Sequence, residues 1–234
     1  MTAPYDLKQL DAARIETWRG DDLAILEYMP KWRGEAGDAS RLVLDFKEGV
    51  AHAQAEAIDR CTRVFADYAD SLHKLGLRYV VAVPRSQSNQ SNLGSEAIAA
   101  ALAGKNSWLK HAPGGLRRTK TVAKSRYVRQ PIEVHLDSIS YVGPALRLDP
   151  RGAVIQYTCQ VCDKTFVDAR WTERHVANDS RHAEAVSLWA NGVSVMMIDD
   201  LITDGSTSGA CRQILRGAGA GRVFGLFLAR TYGR

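Results

Sequence analysis

Residues 195–210, VMMIDDLITDGSTSGA, constrain the fold of this chain more than any other stretch. Four apolar residues are followed by two aspartates, two further apolar residues and a loop of small polar residues. A short apolar run bounded by turn residues predicts a buried strand, and burial on both faces is typical of a parallel sheet. Apolar residues at helical spacing then predict a helix over 208–219. The order strand, tight loop, helix indicates an α/β fold.

The loop between this strand and this helix has the chemistry of a phosphate site. Backbone N–H groups of such a loop and of the helix N-terminus converge on one point and attract an anion. Asp199 and Asp200 stand directly before the loop and accept hydrogen bonds, so they suit ribose hydroxyls beside the phosphate. The chain contains no GxxxxGK[ST] motif and no GxGxxG motif that opens a helix, which argues against those two nucleotide-binding classes.

The same stretch resembles the phosphoribosyl-pyrophosphate (PRPP) signature of type I phosphoribosyltransferases, without a gap from Asp199 to Thr207. The resemblance implies an α/β fold with a parallel sheet flanked by helices. It also implies that Asp199 and Asp200 are site residues that hold the 2′- and 3′-hydroxyls of the ribose, and that Mg²⁺ binds with PRPP. The residues that it assigns to the 5′-phosphate are Thr203, Asp204, Gly205, Ser206 and Thr207.

Three further segments resemble the ComF-like branch of that family. They are RLVLDFKEG at 41–49, LRRTKTVAKSRYVRQ at 116–130 and GRVFGLFLART at 221–231. The likeness covers residues 41–135 and 191–234. The loop after residue 83 departs from that branch in detail, and the N-terminal four-cysteine zinc module common there is absent.

Five basic or polar residues are expected to meet the pyrophosphate of PRPP. In the family the loop after the second core strand binds this group, which assigns Arg85 and Ser86 to it. A guanidinium meets phosphate oxygens in bidentate geometry, whereas the alternative for this loop is a solvated turn. The segment that resembles the family's flexible catalytic loop contributes Arg117, Arg118 and Lys120.

The remaining pattern places a core around these motifs. We expect a core strand over 41–46, a turn over 47–49, helices over 50–75 and 92–103, and a strand over 78–83. Residues 1–40 are interpreted as a covering segment or hood, with a short helix over 12–18 and a strand over 23–29. Cys61 and Cys211 fall on apolar helix faces, which predicts two buried core residues. Residues 41–145 and 190–234 would form the phosphoribosyltransferase-like domain.

An insertion at 146–189 carries a metal-binding pattern. Cys159, Cys162, His175 and His182 have the spacing C-x2-C-x12-H-x6-H. Two thiolates and two imidazoles make a closed tetrahedral zinc site of the structural type, and metal binding would supply folding energy to so short a segment. The pattern resembles C2H2 fingers, nearest the matrin kind, and predicts a small ββα-type zinc finger. We interpret the finger as a nucleic-acid contact, a dimer contact or a cover for the active site.

Positive charge is concentrated in one segment. Residues 105–129 carry eight Lys and Arg residues and no Asp or Glu, whereas the whole chain of 234 residues has a net charge of only +5. Phosphate contacts dominate non-specific nucleic-acid affinity. The finger from 159 to 185 has a net charge of −1, so binding to DNA or RNA would need the basic segment 105–129.

The sequence thus supports three functional hypotheses. The first is a PRPP-dependent phosphoribosyltransferase that transfers phosphoribosyl to or from a nitrogenous base. The second is a non-catalytic protein that senses PRPP or binds nucleic acid through the finger and the basic segment. The third is a transferase whose acceptor base lies in a nucleic acid or is released from one. We expect a cytoplasmic protein without a membrane partner, because no run of 18 apolar residues occurs, and the family resemblance favours a homodimer.

Overall fold

The computed structural model describes ten stretches of the chain. They are residues 5–12, 14–29, 37–88, 92–123, 131–141, 146–148, 154–158, 164–166, 174–175 and 192–231. The helices in these stretches are α1 (Leu7–Ala12), α2 (Asp38–Glu48), α3 (Ala51–Lys74), α4 (Leu93–Lys105), α5 (Ile132–Leu136) and α6 (Ser206–Gly217). The strands are β1 (Arg14–Arg19), β2 (Asp22–Tyr28), β3 (Leu77–Ala82), β4 (Lys110–His111), β5 (Leu116–Arg118), β6 (Ile139–Tyr141), β7 (Leu146–Leu148), β8 (Val154–Thr158), β9 (Thr165–Phe166), β10 (Ser194–Ile202) and β11 (Val223–Thr231).

The central sheet of the described chain has six strands in the order β1-β2-β11-β10-β3-β4. All neighbouring strands run parallel except β1, which pairs antiparallel with β2 across the two-residue turn Gly20–Asp21. Strands β5 and β6 form a separate antiparallel pair, and β7, β8 and β9 form a third sheet. The expected α/β class with a mostly parallel sheet flanked by helices is confirmed.

Successive residues of β10 face two different helical layers. Met196 and Ile198 pack in the cluster that α2, α3 and α4 cover on one face of the sheet. Val195 and Met197 pack on the other face, in the cluster that includes Cys211 and residues of β5 and β6. These four residues of β10 are fully buried. The apolar run that predicted a strand with two covered faces therefore lies in the middle of the six-stranded sheet.

Most of the elements expected around this strand are present. Helix α3, strand β3 and helix α4 confirm the expectations for 50–75, 78–83 and 92–103 within a few residues. Cys61 and Cys211 are buried free thiols, as expected of core residues. In the part of the chain that the structure describes, no helix is both long and apolar enough to cross a membrane.

The expected core strand over 41–46 is wrong, because these residues lie in helix α2. Ala39, Leu42, Val43 and Phe46 are buried, which is the three-and-four spacing of a helix face. Gly49 then adopts a left-handed conformation (φ 80°), and its N–H donates to the carbonyl of Phe46 in a typical helix C-cap. The glycine interpreted as a turn after a strand is the end of a helix.

The N-terminal segment also differs from expectation. Residues 14–19 form β1 instead of a helix, because Gly20 (φ 62°) turns the chain back so that this strand pairs with β2. Strand β2 confirms the strand expected over 23–29, and it lies beside β11 in the central sheet. Residues 14–28, interpreted as a cover, therefore contribute two strands to the sheet itself.

Candidate active site

The strand order creates a crevice between β3 and β10 at the carboxyl edge of the sheet. From β3 the chain passes through α4 to β4 on one side, and from β10 it passes through α6 to β11 on the other. Because the two connections diverge, the loops after β3 and β10 separate, and ligands of open α/β sheets bind at such switch points. The two loops that follow these strands are those with the proposed phosphate-binding residues.

Asp199 and Asp200 lie near the end of β10, in this crevice. The side-chain amide of Asn92 donates to Asp199 Oδ1 at 3.2 Å, and the backbone N–H of Asp200 donates to the same oxygen at 2.9 Å. Lys47 Nζ lies 3.3 Å from Asp200 Oδ2. Burial, and next the adjacent Asp200 carboxylate, raise the pKa of Asp199 well above its usual range. The pair therefore favours a ligand that donates hydroxyl hydrogens or brings a cation.

The loop after β10 leads through Gly205 into the first turn of α6. Gly205 is left-handed (φ 80°, ψ 3°) and precedes the first residue of α6, so it offers no side chain to cap the helix. The Ser206 N–H donates to Asp204 Oδ1 at 3.1 Å, which shapes the turn. The first turn of a helix leaves N–H groups without intrahelical acceptors. Thr203, Asp204, Gly205, Ser206 and Thr207 are all partly exposed, so a phosphate can reach this turn.

The loop after β3 is held at the opposite wall of the crevice. Arg85 Nη2 donates to the backbone carbonyl of Lys47 at 3.0 Å, and the carbonyl of Ser86 accepts from the N–H of Val122 at 2.9 Å. Both Arg85 and Ser86 are partly exposed. Strand β3 is tied to β10 beyond its end, because the Val83 N–H donates to the Ile198 carbonyl at 2.8 Å. The structure thus places the Arg85 guanidinium beside the last turn of α2, next to the Lys47–Asp200 ion pair.

The three basic residues expected in a flexible catalytic loop differ in their exposure to solvent. Arg117 and Arg118 lie in β5 and are only 4% and 1% exposed, whereas Lys120 is exposed. Arg118 Nε donates to the Arg85 carbonyl at 2.9 Å, and its Nη1 donates to Ser138 Oγ at 2.7 Å and to His135 Nδ1 at 3.2 Å. Arg118 is buried, and its Nε and Nη1 donors point at protein acceptors. Its contact with pyrophosphate stays a prediction, as do those of Arg117 and Lys120. Residues 124–130 of the same segment lie outside the described residues.

Three residues of the crevice were not identified from sequence. Asn92 had a local signal, since it is the N-cap of α4 and accepts from the Ser95 N–H at 3.4 Å. Lys47 had no sequence signal for a place beside Asp200, because residues 41–46 were interpreted as a strand and 47–49 as a turn. His135 has no metal-ligand spacing, yet its Nε2 lies 3.5 Å from Thr207 Oγ1.

No protein-family model matches this chain, and no curated protein matches it. Its function is therefore inferred from the residues of the crevice, which brings together two carboxylates, the partly exposed first turn of α6 and the cations Arg85 and Lys47.

The predicted zinc ligands fall mostly outside the described chain. Cys159, Cys162 and His182 are not among the described residues, and His175 is half-buried. Within the described residues, no group of three or more His, Cys, Asp or Glu side chains is arranged to hold a metal. Strands β8 and β9, which flank the two cysteines in sequence, pair antiparallel through Tyr157–Phe166 and Thr158–Thr165.

Proposed function

We propose that this protein is a PRPP-dependent phosphoribosyltransferase of the type I fold, which transfers phosphoribosyl to or from a nitrogenous base. The observation that carries the proposal is the continuity of β10, the Asp199–Asp200 pair and the Gly205 turn at the switch point of a parallel sheet. A sugar phosphate needs hydroxyl acceptors and an anion site at fixed separation, and this strand-to-helix connection supplies both.

Each part of PRPP is assigned to one part of the proposed site. The 5′-phosphate would occupy the first turn of α6, where backbone N–H groups and the positive end of the helix dipole favour an anion. The ribose hydroxyls would donate to Asp199 and Asp200. The pyrophosphate would then face the loop after β3, where Arg85 and Lys47 supply positive charge.

In the proposed reaction the bond between ribose C1 and the pyrophosphate oxygen breaks, and a nitrogen of the base forms a new bond to C1. Pyrophosphate leaves with the bonding electron pair, and the proton of the base nitrogen passes to pyrophosphate or to water. Negative charge grows on the leaving pyrophosphate, so fixed cations directed at it lower the barrier. Arg85 is preoriented for this role, because its guanidinium is held by the Lys47 carbonyl before substrate arrives. Carboxylate oxygens such as those of Asp199 and Asp200 are the ligand type that Mg²⁺ prefers, and Mg²⁺ entering with PRPP would neutralise pyrophosphate charge.

Burial of two arginines weighs against nucleic-acid binding through the basic segment. Nucleic-acid affinity depends on cations that reach phosphates. Arg117 and Arg118 are two of the eight basic residues of the 105–129 segment, and both are buried. The basic segment therefore offers less accessible charge than its composition suggests.

We also propose that the insertion binds structural Zn²⁺ through Cys159, Cys162, His175 and His182. The antiparallel pairing of β8 and β9 on either side of the Cys-x2-Cys segment supports this proposal, since a C2H2 finger begins with a two-stranded ribbon.

Isothermal titration with PRPP and Mg²⁺ tests the proposed substrate. We expect saturable binding to the wild type and its loss in the double variant Asp199→Asn/Asp200→Asn, which keeps side-chain size. The variant Asp67→Asn/Asp70→Asn is the matched control, because both aspartates are exposed on α3 and their loss changes the net charge equally. Absence of binding to the folded wild type, or equal binding by both double variants, would refute the proposal. Pyrophosphate release in the presence of free bases then tests transfer.

A further inference from the structure

We infer that Arg118 holds His135 as the neutral tautomer protonated on Nε2, and that this N–H directs the Thr207 hydroxyl hydrogen toward the bound phosphate. His135 is then a positioning residue that acts through Thr207. The second half of this inference rests on the proposed function, whereas the first half concerns the free protein.

The tautomer follows from the donors of Arg118. A guanidinium donates hydrogen bonds and accepts none. Arg118 Nη1 lies 3.2 Å from His135 Nδ1, so Nδ1 has to be the acceptor. A neutral imidazole that accepts on Nδ1 carries its hydrogen on Nε2. Arg118 is itself fixed, because it is 1% exposed and also donates to the Arg85 carbonyl and to Ser138 Oγ.

The surroundings of His135 keep the ring neutral. The side chain is 4% exposed, and a second proton would place an Nδ1–H donor against the Arg118 donor. Burial, and next the charge of Arg118, lower the pKa of His135, while Asp204 has a smaller effect in the opposite direction. Ser138 stabilises the end of the short helix α5, because its N–H and Oγ both donate to the His135 carbonyl, at 3.2 and 3.1 Å.

The other ring nitrogen faces the first turn of α6. His135 Nε2 lies 3.5 Å from Thr207 Oγ1. When the hydroxyl oxygen receives the ring N–H, the hydrogen of the hydroxyl points away from the ring and is available to a phosphate oxygen. A separation of 3.5 Å is long for this contact, and we expect it to shorten when phosphate binds.

Close packing brings α5 to this position. A Cβ on Gly209 would lie 3.1 Å from Ile132 Cδ1, so the glycine allows α5 to approach α6. The result is a continuous path of contacts from the Arg85 carbonyl through Arg118 and His135 to Thr207. This path links the two loops that are proposed to hold the two ends of PRPP.

Nitrogen NMR of the imidazole rings tests the tautomer without any ligand. The variant His135→Gln assigns the signal among the six histidines of the chain. We expect a protonated Nε2 and a bare Nδ1 in the wild type near neutral pH, and a mixture of tautomers in Arg118→Met. A proton on Nδ1 in the wild type, or an unchanged tautomer in folded Arg118→Met, would overturn the inference.

Titration with PRPP and Mg²⁺ tests the effect on the site. Both His135→Leu and Thr207→Val are expected to weaken binding about tenfold, the typical effect of one lost hydrogen bond. The double variant should bind no worse than either single one, because the two residues act through one hydroxyl. His135→Gln, whose amide accepts at one atom and donates at the other, should recover most of the affinity.

The outcomes separate this inference from the proposed function. Full affinity in His135→Leu, or additive losses in the double variant, would overturn the positioning role. A folded wild type that shows the expected tautomer and binds no PRPP would refute the proposed function and, with it, the role of Thr207, while the Arg118–His135 contact would stand.

Discussion

Replacement of Gly94 by alanine tests how helices α2 and α4 meet above the sheet. A Cβ at this position would lie 2.5, 2.8 and 3.0 Å from three ring carbons of Phe46, whereas packed carbon atoms sit about 3.5–4.0 Å apart. Phe46 is only 2% exposed, so its ring has no free space into which to move. Overpacking of this kind costs about 1–3 kcal/mol, and the better helix propensity of alanine returns about 1 kcal/mol. We therefore expect a net loss of up to about 2 kcal/mol in the free energy of unfolding.

Gly104→Ala is the matched control for this change. Gly104 lies in the same helix, and an added Cβ would meet nothing within 4 Å, so alanine should stabilise the protein by about 0.5–1 kcal/mol. Urea unfolding followed by circular dichroism measures both variants. Equal stability of the two would refute the packing argument. Phe46→Leu combined with Gly94→Ala should recover part of the loss, which a double-mutant cycle quantifies.

The same contact bears on the crevice. Lys47 follows Phe46 directly, and Asn92 stands two residues before Gly94. Lys47 pairs with Asp200 and Asn92 with Asp199, so a shift between the two helices moves both partners of the acid pair. Gly94→Ala should therefore weaken PRPP binding in calorimetry, while Gly104→Ala should not.

Three further predictions concern the acid pair, the phosphate turn and the insertion. Because the pKa of Asp199 is raised in the folded state, this carboxyl costs stability as the pH rises above its ordinary value of 3.8. Asp199→Asn should therefore raise the free energy of unfolding at about pH 8, and the gain should shrink toward about pH 4 in urea titrations. Gly205→Ala places a Cβ on a left-handed residue and should cost about 1–2 kcal/mol, whereas Gly217→Ala, at the open end of the same helix, should be neutral or stabilising in the same assay. Purified protein should contain one equivalent of zinc by elemental analysis, and Cys159→Ser/Cys162→Ser should contain none; equal zinc in both would refute the zinc assignment.

Local chemistry explains which parts of the site could be predicted. The strand β10, the acid pair and the Gly205 turn are contiguous in sequence, and each has a signal that depends on neighbours within a few residues. The apolar run, the two carboxylates and the small residues therefore sufficed to predict the buried strand, the loop after it and the following helix.

Tertiary contacts decided the rest. The burial of Arg118 depends on β5 pairing with β6, and both strands are too short to show a pattern of their own. The helix α2 contains Leu42, Val43 and Leu44 in succession, which resembles a strand until Ala39 and the cap at Gly49 are considered. His135 lies beside Thr207 only because α5 packs on Gly209, which is a contact between residues far apart in sequence.

The strand order has a consequence for how the chain reaches its native state. Strands β2 and β3 are synthesised early, yet β11 and β10 lie between them in the finished sheet. Met196 pairs with Val80, so the central pairing joins residues more than a hundred positions apart. Such non-local pairing slows folding, because a long loop must close before any contact compensates for its entropy. Until the last strands are made, β2 and β3 each expose an unpaired apolar edge, and unpaired edges invite association between chains. We therefore expect slow folding, with association between chains through those two edges as the competing process until β10 and β11 are in place.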